Sequence, residues 1–474
     1  MVDYKELILS EVPMQSTITA ITAQMQAAQL DTAAIGAFID AYGQLAAGAS
    51  GMLPEATIQA VRDVPTLGAL DAHAAAGTAA LKKTIVLRLN GGLGTGMGLE
   101  QAKSLLRVRA DDTFLDIVAK QHRALVQQTG VSLPLVFMNS FATDDDTRAY
   151  LARYPDLDTR SVVQGRVPKI RVDTLAPIDW PADPELAWCP PGHGELYRVL
   201  WSSGVLDALI ADGYEFVYSA NIDNLGATID TRILGYMASQ QIPFVMEVTR
   251  RTEADRKGGH LAQRPDGQYV LRESAQCPPA DMDAFQDIER HQFFNTNNVW
   301  FALKPLRALL AGNGGFLPLP IIVNRKTVDV RDPASPAVIQ LESAMGAAIG
   351  LIAGAQAVAV PRERFMPVKS CQDLLVLRSD CFALNDAYHL VQSNPGQTLP
   401  IVQLDQHFYK VISDFEQRFP AGSPQLQQCT ALTVTGDVTF GADVSCTGAV
   451  TIQAAAAAHI AAGTQLPDGL HSIA

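Results

Sequence analysis

Apolar residues recur in three different rhythms along this chain, and each rhythm predicts a different kind of structure. Between residues 14 and 47, Ile18, Ile21, Met25, Ile35 and Phe38 fall at helical spacings in a stretch rich in alanine and glutamine, which predicts an N-terminal helical region. From Thr84 the rhythm changes to short β-branched and aromatic runs: TIVLRL (84–89), PLVFMN (134–139), EFVYSANID (215–223), IPFVMEV (242–248) and NVWFAL (298–303). Helical stretches separate them, and that alternation predicts a largely parallel sheet covered by helices on both faces. Ligands of such sheets gather at the carboxyl ends of the strands. The loop after Leu89, Asn139 and Asp223, taken as closing its strand, are therefore expected on one edge.

The third rhythm lies near the C-terminus. In LTVTGDVTFGADVSCTGAVTI the apolar pairs Leu432 and Val434, Val438 and Phe440, Val444 and Cys446, and Val450 and Ile452 each start six residues after the last. Hexad spacing with turn glycines predicts stacked coils of a small parallel β-helix, and a set of short hairpins is the competing reading. The low-complexity stretch QAAAAAHIAAG (453–463) completes or frays the last coil.

Chemistry concentrates between Leu87 and Lys103, where LRLNGGLGTGMGLEQAK sets five glycines directly after a strand, with a lysine just beyond. Glycine permits positive φ and lets phosphate oxygens reach main-chain N–H groups with no Cβ in the way. Two familiar phosphate loops do not fit. A dinucleotide fingerprint begun at Gly92 requires glycine where Met97 stands, and one begun at Gly94 meets Leu99. A Walker A motif ending at Lys103 and Ser104 requires glycine at both Ala102 and Met97.

Residues 89–104, LNGGLGT followed by Met-Gly and then Lys-Ser, match instead the signature of the UTP-glucose-1-phosphate uridylyltransferases, or UDP-glucose pyrophosphorylases. The resemblance continues through PLVFMNSFATDDDT (134–147), WCPPGHGELY (188–197), NIDNLGATID (221–230), KGGHLAQ (257–263), FFNTNNVW (293–300), IQLESAMGAAIG (339–350) and RFMPVKSCQDLL (364–375). It spans most of the chain. It implies an α/β fold: a Rossmann-like nucleotidyltransferase core with a mixed, mainly parallel sheet, followed by a C-terminal parallel, left-handed β-helix. The expected divisions are a helical region over 1–80, the catalytic domain over 81–385 and the β-helix over 386–474.

Length and charge agree with that organisation. A single core stops growing near about 250 to 300 residues, so 474 residues need more than one. A net charge of −13, from 49 acidic and 36 basic residues, argues against a nucleic-acid or anionic-membrane surface. MVDYKELILSEVP lacks the basic and apolar segments of a secretory leader, so a cytoplasmic enzyme is expected. The six cysteines show neither CxxC pairs nor zinc spacing and read as reduced, buried thiols.

The resemblance implies attack of glucose 1-phosphate on the α-phosphorus of UTP, giving UDP-glucose and pyrophosphate reversibly. A phosphate monoester has a second pKa near ~6, so its oxygen is already a nucleophile at neutral pH and no general base is required. The protein has to supply in-line positioning and relief of charge crowding. By resemblance, Lys103 serves the triphosphate and the leaving pyrophosphate, and Lys369 serves the α-phosphate and the sugar phosphate. Asp223 holds Mg²⁺, and a helix-capping role suits Asp144, Asp145 and Asp146 better than a second metal cluster. Leu89, Gly91, Gly92 and Gln164 select the uracil base, with Gly192 and His193 against the nucleoside. Asn221, Gly259, Glu273, Asn295 and Asn297 line the sugar. The family usually has aspartate after its Gly-His-Gly, where this chain has Glu195. Lys257 and Lys326 read equally well as phosphate neighbours or as solvated side chains.

Two other readings stay open. A broad UDP-sugar or UDP-N-acetylhexosamine pyrophosphorylase is the closer one, although the latter typically carries Arg-Leu-Gly where this chain has Gly96-Met97-Gly98. The other is a sugar-nucleotide sensor or scaffold without catalysis, against which Lys103, Asp223 and Lys369 speak together. A monomer is the expected state, because the alanine-rich ending lacks a long apolar edge.

Overall fold

The protein is described by a computed structural model covering residues 14–473 except Ala110 and Arg331. The segment 1–13, on which the expectation about a secretory leader rests, lies outside the described residues. Seven of the ten strands of the central sheet form its main body: β1 (Thr84–Asn90), β2 (Leu135–Ser140), β3 (Thr159–Gln164), β4 (Phe216–Asn221), β5 (Phe244–Arg250), β6 (Phe293–Ala302) and β7 (Gln356–Ala359). Their spatial order is β3-β2-β1-β4-β6-β5-β7. The first four are mutually parallel, with Val86 opposite Leu135 and Phe216 opposite Thr84. All seven residues of β1 are buried, as expected of a strand covered on both faces.

Two expectations need correction. The run 298–303 is the end of a longer strand that starts at Phe293 and lies antiparallel to both neighbours, so the strand takes in FFNTNN and departs from the parallel arrangement. The length comes from the aromatic residues Phe293 and Phe294, which extend the apolar pattern beyond the polar asparagines. Strand β4 stops at Asn221, so Asp223 lies in the following turn rather than closing the strand. Still, the carboxyl ends of β1 to β4 bring Asn90, Ser140, Gln164 and Asn221 to one edge.

Alternation along β1 sorts the two cores. Val86 joins Phe114, Phe137 and Leu115 on one face, while Ile85, Leu87 and Leu89 join Tyr197, Leu200, Phe301 and Met345 on the other. The first core continues without a break through Leu374 and Phe415 into the C-terminal strands. At the other end, helices α1 (Met14–Ala27) and α2 (Thr32–Ala46) match the helical rhythm of the sequence. Asp31 caps α2 by accepting the Ala34 N–H at 2.8 Å. Their apolar face, including Ile21, Met25 and Phe38, packs on Ile339 and Leu341 of a small antiparallel sheet.

The C-terminal strands β8 (Ile401–Leu404), β9 (Gln425–Thr435), β10 (Val438–Phe440), β11 (Ser445–Ala454) and β12 (Ala458–Ile460) pair in parallel. Leu432 faces Val450 and Val434 faces Ile452, so the fourth apolar pair returns onto the first, 450 − 432 = 18 residues later. Three hexads therefore make one circuit. The pairing is parallel, which hairpins would not give, and the alanine-rich stretch contributes β12, with Phe440 opposite Ile460.

One buried ion pair ties the sheet to the segment leading to Lys369. The Glu247 carboxylate, wholly buried on β5, accepts from Arg364 Nε at 2.8 Å and Nη2 at 2.6 Å. It also accepts from Trp300 Nε1 at 2.8 Å and Asn298 Nδ2 at 3.2 Å. Removing one member leaves a charge uncompensated in the interior, which costs about 3–5 kcal/mol. Arg364→Met is therefore expected to lower the unfolding free energy by about that amount, and Glu247→Leu combined with Arg364→Met to recover part of it. Urea denaturation of the three proteins checks this, and a single variant as stable as wild type would contradict it.

Candidate active site

The glycine loop leaves β1 and does not run into an α-helix. It passes through two short 3₁₀ turns, Thr95–Met97 and Lys103–Leu105. Dinucleotide and Walker loops both open a helix, so the mismatch read from the sequence has a structural counterpart. The Lys103 N–H closes the loop by donating to Gly92 O at 3.1 Å. Gly94 has φ +70°, and a Cβ there would lie 2.6 Å from Leu99 Cδ1. Gly98 has φ +69°, and its would-be Cβ lies 2.7 Å from Val411 Cγ1 of the C-terminal region.

Gln164 ends β3 beside this loop, its Oε1 only 3.0 Å from where a Gly91 Cβ would be. Its Nε2 donates to Gly192 O at 2.8 Å. Gly192 has φ +83° and a Cβ there would come within 2.4 Å of Ser343 O, so the turn admits glycine alone. His193 Nδ1 accepts the Met345 N–H at 2.9 Å, and burial pushes its pKa down to about 4. A neutral imidazole with one nitrogen already engaged is a brace rather than a base. Glu195 accepts the Gly165 N–H at 3.0 Å and pairs with Arg198, which reaches Asp31 at 2.6 Å. The longer acid at this position thus points into the scaffold and joins the glycine edge to the N-terminal helices.

A second group forms where β6 irregularly opposes β5. The register shifts between Met246, opposite Val299, and Val248, opposite Asn295, and Asn297 takes φ +58°. Such an irregularity re-aims side chains. Asn297 Nδ2 donates to Asn221 Oδ1 at 2.8 Å, and the Asn297 N–H donates to Asn295 Oδ1 at 2.9 Å. The Asn295 N–H donates to Gly259 O at 3.1 Å, and the Asn295 side chain hydrogen-bonds Glu273. A Cβ on Gly259 would sit 2.4 Å from Glu273 Oε2. Burial raises the Glu273 pKa, and the Lys369 ammonium opposes that shift. Asn297 Oδ1 is buried with no partner in the protein, which marks an acceptor available to a ligand hydroxyl.

Between the two groups lie the charges. Lys103 Nζ contacts Asp223 Oδ2 at 2.6 Å and also donates to Val368 O, next to Lys369. Both Lys103 and Asp223 side chains are 15% exposed, so the pair is reachable from solvent yet partly shielded. Lys369 itself is exposed, 6.0 Å from the centre of the Phe294 ring, and its N–H donates to Asp373 Oδ2 at 2.8 Å.

Other candidates fall elsewhere. Asp144, Asp145 and Asp146 form the first turn of helix Asp144–Leu151, with Asp144 buried against Asn139 and Ser161. Among the described residues no three His, Cys, Asp or Glu side chains group as a metal cage. Lys257 is exposed, and Lys326 lies on the small antiparallel sheet near Lys169. Sequence reasoning missed Asn224, inside the quoted NIDNLGATID. Its Nδ2 donates to Arg364 O at 3.0 Å and to Asn298 Oδ1 at 3.2 Å, while its Oδ1 accepts the Met366 N–H at 2.9 Å. Only its place between Asp223 and the next glycine hinted at that role.

All six cysteines are buried and unpaired, and no helix among the described residues is long and apolar enough to cross a membrane. The sequence profile described as UTP–glucose-1-phosphate uridylyltransferase matches residues 38–447. The UTP–glucose-1-phosphate uridylyltransferase of Saccharomyces cerevisiae is 44% identical over 375 residues, 78% of this chain and 74% of that protein. The Leishmania major UDP-glucose pyrophosphorylase, solved in open and closed forms, superposes with a TM-score of 0.90 at 44% identity, covering 96% of this chain and 99% of the other. A mutant of the Leishmania enzyme in complex with UDP-glucose gives 0.91 at the same identity, again covering 96% of this chain and 99% of the other. The glycine loop without a following helix, the paired glycine and asparagine groups and these similarities agree: the chain belongs to the UTP–glucose-1-phosphate uridylyltransferase family.

Proposed function

We infer that this protein transfers a uridylyl group reversibly between UTP and glucose 1-phosphate, releasing pyrophosphate in the forward direction. The observation that carries the reading is the meeting of Lys103, Asp223 and the Val368–Lys369 backbone between a glycine-glutamine edge and an asparagine-glutamate edge. Gly91, Gly92 and Leu89 offer backbone to the base, Gln164 an amide, and the Gly192–His193 turn a wall for the nucleoside. Asn221, Gly259, Glu273, Asn295 and Asn297 face the sugar. Asparagine and glutamate suit hydroxyls because together they donate and accept.

In the proposed mechanism the sugar phosphate attacks in line, with no covalent intermediate on the protein. Lys103 holds the β- and γ-phosphates and Lys369 follows the α-phosphate and the incoming phosphate as charge redistributes. Mg²⁺, held by Asp223, would supply further neutralisation of phosphate charge. Asp223 fits it as a single carboxylate ligand, since Mg²⁺ is usually held by one or two carboxylates together with substrate phosphates and water. Lys103 would then exchange its carboxylate contact for a phosphate. His193, kept neutral by burial, orients and does not exchange protons near neutral pH.

We extend the reading to the architecture as well. The parallel C-terminal ladders are taken as a left-handed β-helix over 386–474, following a catalytic domain over 81–385 and a helical region over 1–80. A cytoplasmic location accords with the unpaired cysteines, and a monomer with the alanine-rich ending, which lacks a long apolar edge.

Three outcomes test this reading. Pyrophosphate release from UTP should be fastest with glucose 1-phosphate; comparable rates with galactose 1-phosphate or N-acetylglucosamine 1-phosphate would favour the broad-specificity enzyme. Chelation by EDTA should abolish turnover and Mg²⁺ restore it, with Asp223→Asn needing far more Mg²⁺ than wild type. Lys369→Ala should lower kcat about 10²–10³-fold, the size expected for a group that stabilises transition-state charge, with UTP binding measured by calorimetry nearly unchanged. Wild-type kcat in that variant would remove Lys369 from the mechanism.

A further inference from the structure

Gln164 is the last residue of β3, and β3 is the edge strand of the sheet, paired along one side with β2 as far as Ser140 opposite Gln164. The ladder ends there, and the next N–H, that of Gly165, donates to Glu195 Oε2 at 3.0 Å instead. The Gln164 side chain is held from the same turn. Its Nε2 donates to Gly192 O at 2.8 Å, and Gly192 O also accepts the Glu195 N–H at 3.3 Å. The turn 192–195 therefore grips residues 164 and 165 at two points, one on a side chain and one on the backbone.

Glu195 is itself fixed. It is buried, and its other oxygen accepts from Arg198 Nε at 3.0 Å and from Arg198 Nη2. Arg198 is buried as well, and its Nη1 donates to Asp31 Oδ2 at 2.6 Å and to Ser202 Oγ at 3.0 Å. One carboxylate oxygen thus serves the guanidinium and the other serves the glycine. Gly165 fits closely against both groups, since a Cβ there would lie 2.9 Å from Glu195 Oε1 and 3.2 Å from Arg198 Nη2.

This grip decides which atom Gln164 shows to a base. A carbonyl only accepts, so Gly192 O fixes the amide with Nε2 toward itself and leaves Oε1 on the side of Gly91. Uracil carries an N–H at ring position 3, which an amide oxygen can accept, whereas cytosine has a lone pair there and would oppose oxygen to nitrogen. We propose that Glu195 is a positioning residue for base selection: by holding the Gly165 N–H it keeps Gln164 within reach of Gly192 O, and so keeps an acceptor turned toward the nucleotide. The inference rests on the base-binding role given to Gln164 above.

The test compares UTP with CTP in pyrophosphate release with glucose 1-phosphate, using the full chain. Glu195→Gln keeps the size of the side chain but has one oxygen for two donors. The guanidinium, as the charged donor, takes it and leaves an NH2 group against the Gly165 N–H. Gly165→Ala disturbs the same contact from the other partner. The atom its methyl meets most closely is the end of a flexible side chain, so this variant keeps the test decisive should Glu195→Gln fold poorly. In both variants KM for UTP is expected to rise about five- to tenfold, the worth of one misplaced hydrogen bond. Both kcat and KM for glucose 1-phosphate should stay unchanged, because base contacts bind ground and transition state alike. CTP does not share the loss, so the UTP-to-CTP ratio of kcat/KM falls by about the same factor. An unchanged ratio in either folded variant, or an equal loss for both nucleotides, would overturn the proposal. Gln164→Leu separates the inference from its premise. Preference for UTP lost in Gln164→Leu but kept in Glu195→Gln overturns the role of Glu195 alone, whereas preference kept in Gln164→Leu overturns the base-binding role as well.

Discussion

A carboxylate buried without access to water, Glu247, organises the substrate edge of this protein. It is satisfied by Arg364, Asn298 and Trp300, and each contact fixes a different piece of the site. Asn298 follows the irregular turn that presents Asn295 and Asn297, and Arg364 begins the segment that ends in Lys369. Asn224 fastens the same segment to the turn carrying Asp223. Desolvating the pair costs several kcal/mol per ion, offset only while every hydrogen bond is made. The arrangement therefore favours one geometry strongly over its neighbours. Side chains meant to grip mobile phosphates are themselves held by a part of the structure with little freedom.

Much of this was legible in the sequence because it rested on periodicity and on motifs with a mechanical meaning. The β-branched runs located five strands of the sheet, and the hexads pointed to parallel stacking near the C-terminus, where Leu432 meets Val450. The spacing of the glycines is by itself incompatible with two helix-opening phosphate loops. What stayed hidden depends on tertiary direction. The apolar run 298–303 marks a strand but not its direction or its start, and Phe293–Ala302 is one antiparallel strand with Asn297 at positive φ, because direction is set by neighbours that periodicity does not name. The partner of Arg364 lies 364 − 247 = 117 residues earlier, too far for any local pattern to reveal.

Candidate site residues divide in the same way. Gly91, Gln164 and Gly192 meet, as do Asn221, Asn295, Asn297, Gly259 and Glu273, all of them except Gln164 and Glu273 inside the quoted motifs. Lys257 and Lys326 do not join them. Lys103 lies against Asp223, a pairing that spacing could not foretell and that gives the carboxylate a counter-charge when no phosphate is near. Electrostatic relief within the resting protein and electrostatic relief of the substrate thus use the same ammonium group.

The contact of Gly98 with Val411 has a mechanical consequence. The hydrogen at position 98 leaves just enough clearance for a valine delivered from over three hundred positions downstream (411 − 98 = 313). Neither surface can slide toward the other without collision, so any excursion of the loop that carries it toward Val411 must push the tail ahead of it, like two gears meshed at one tooth.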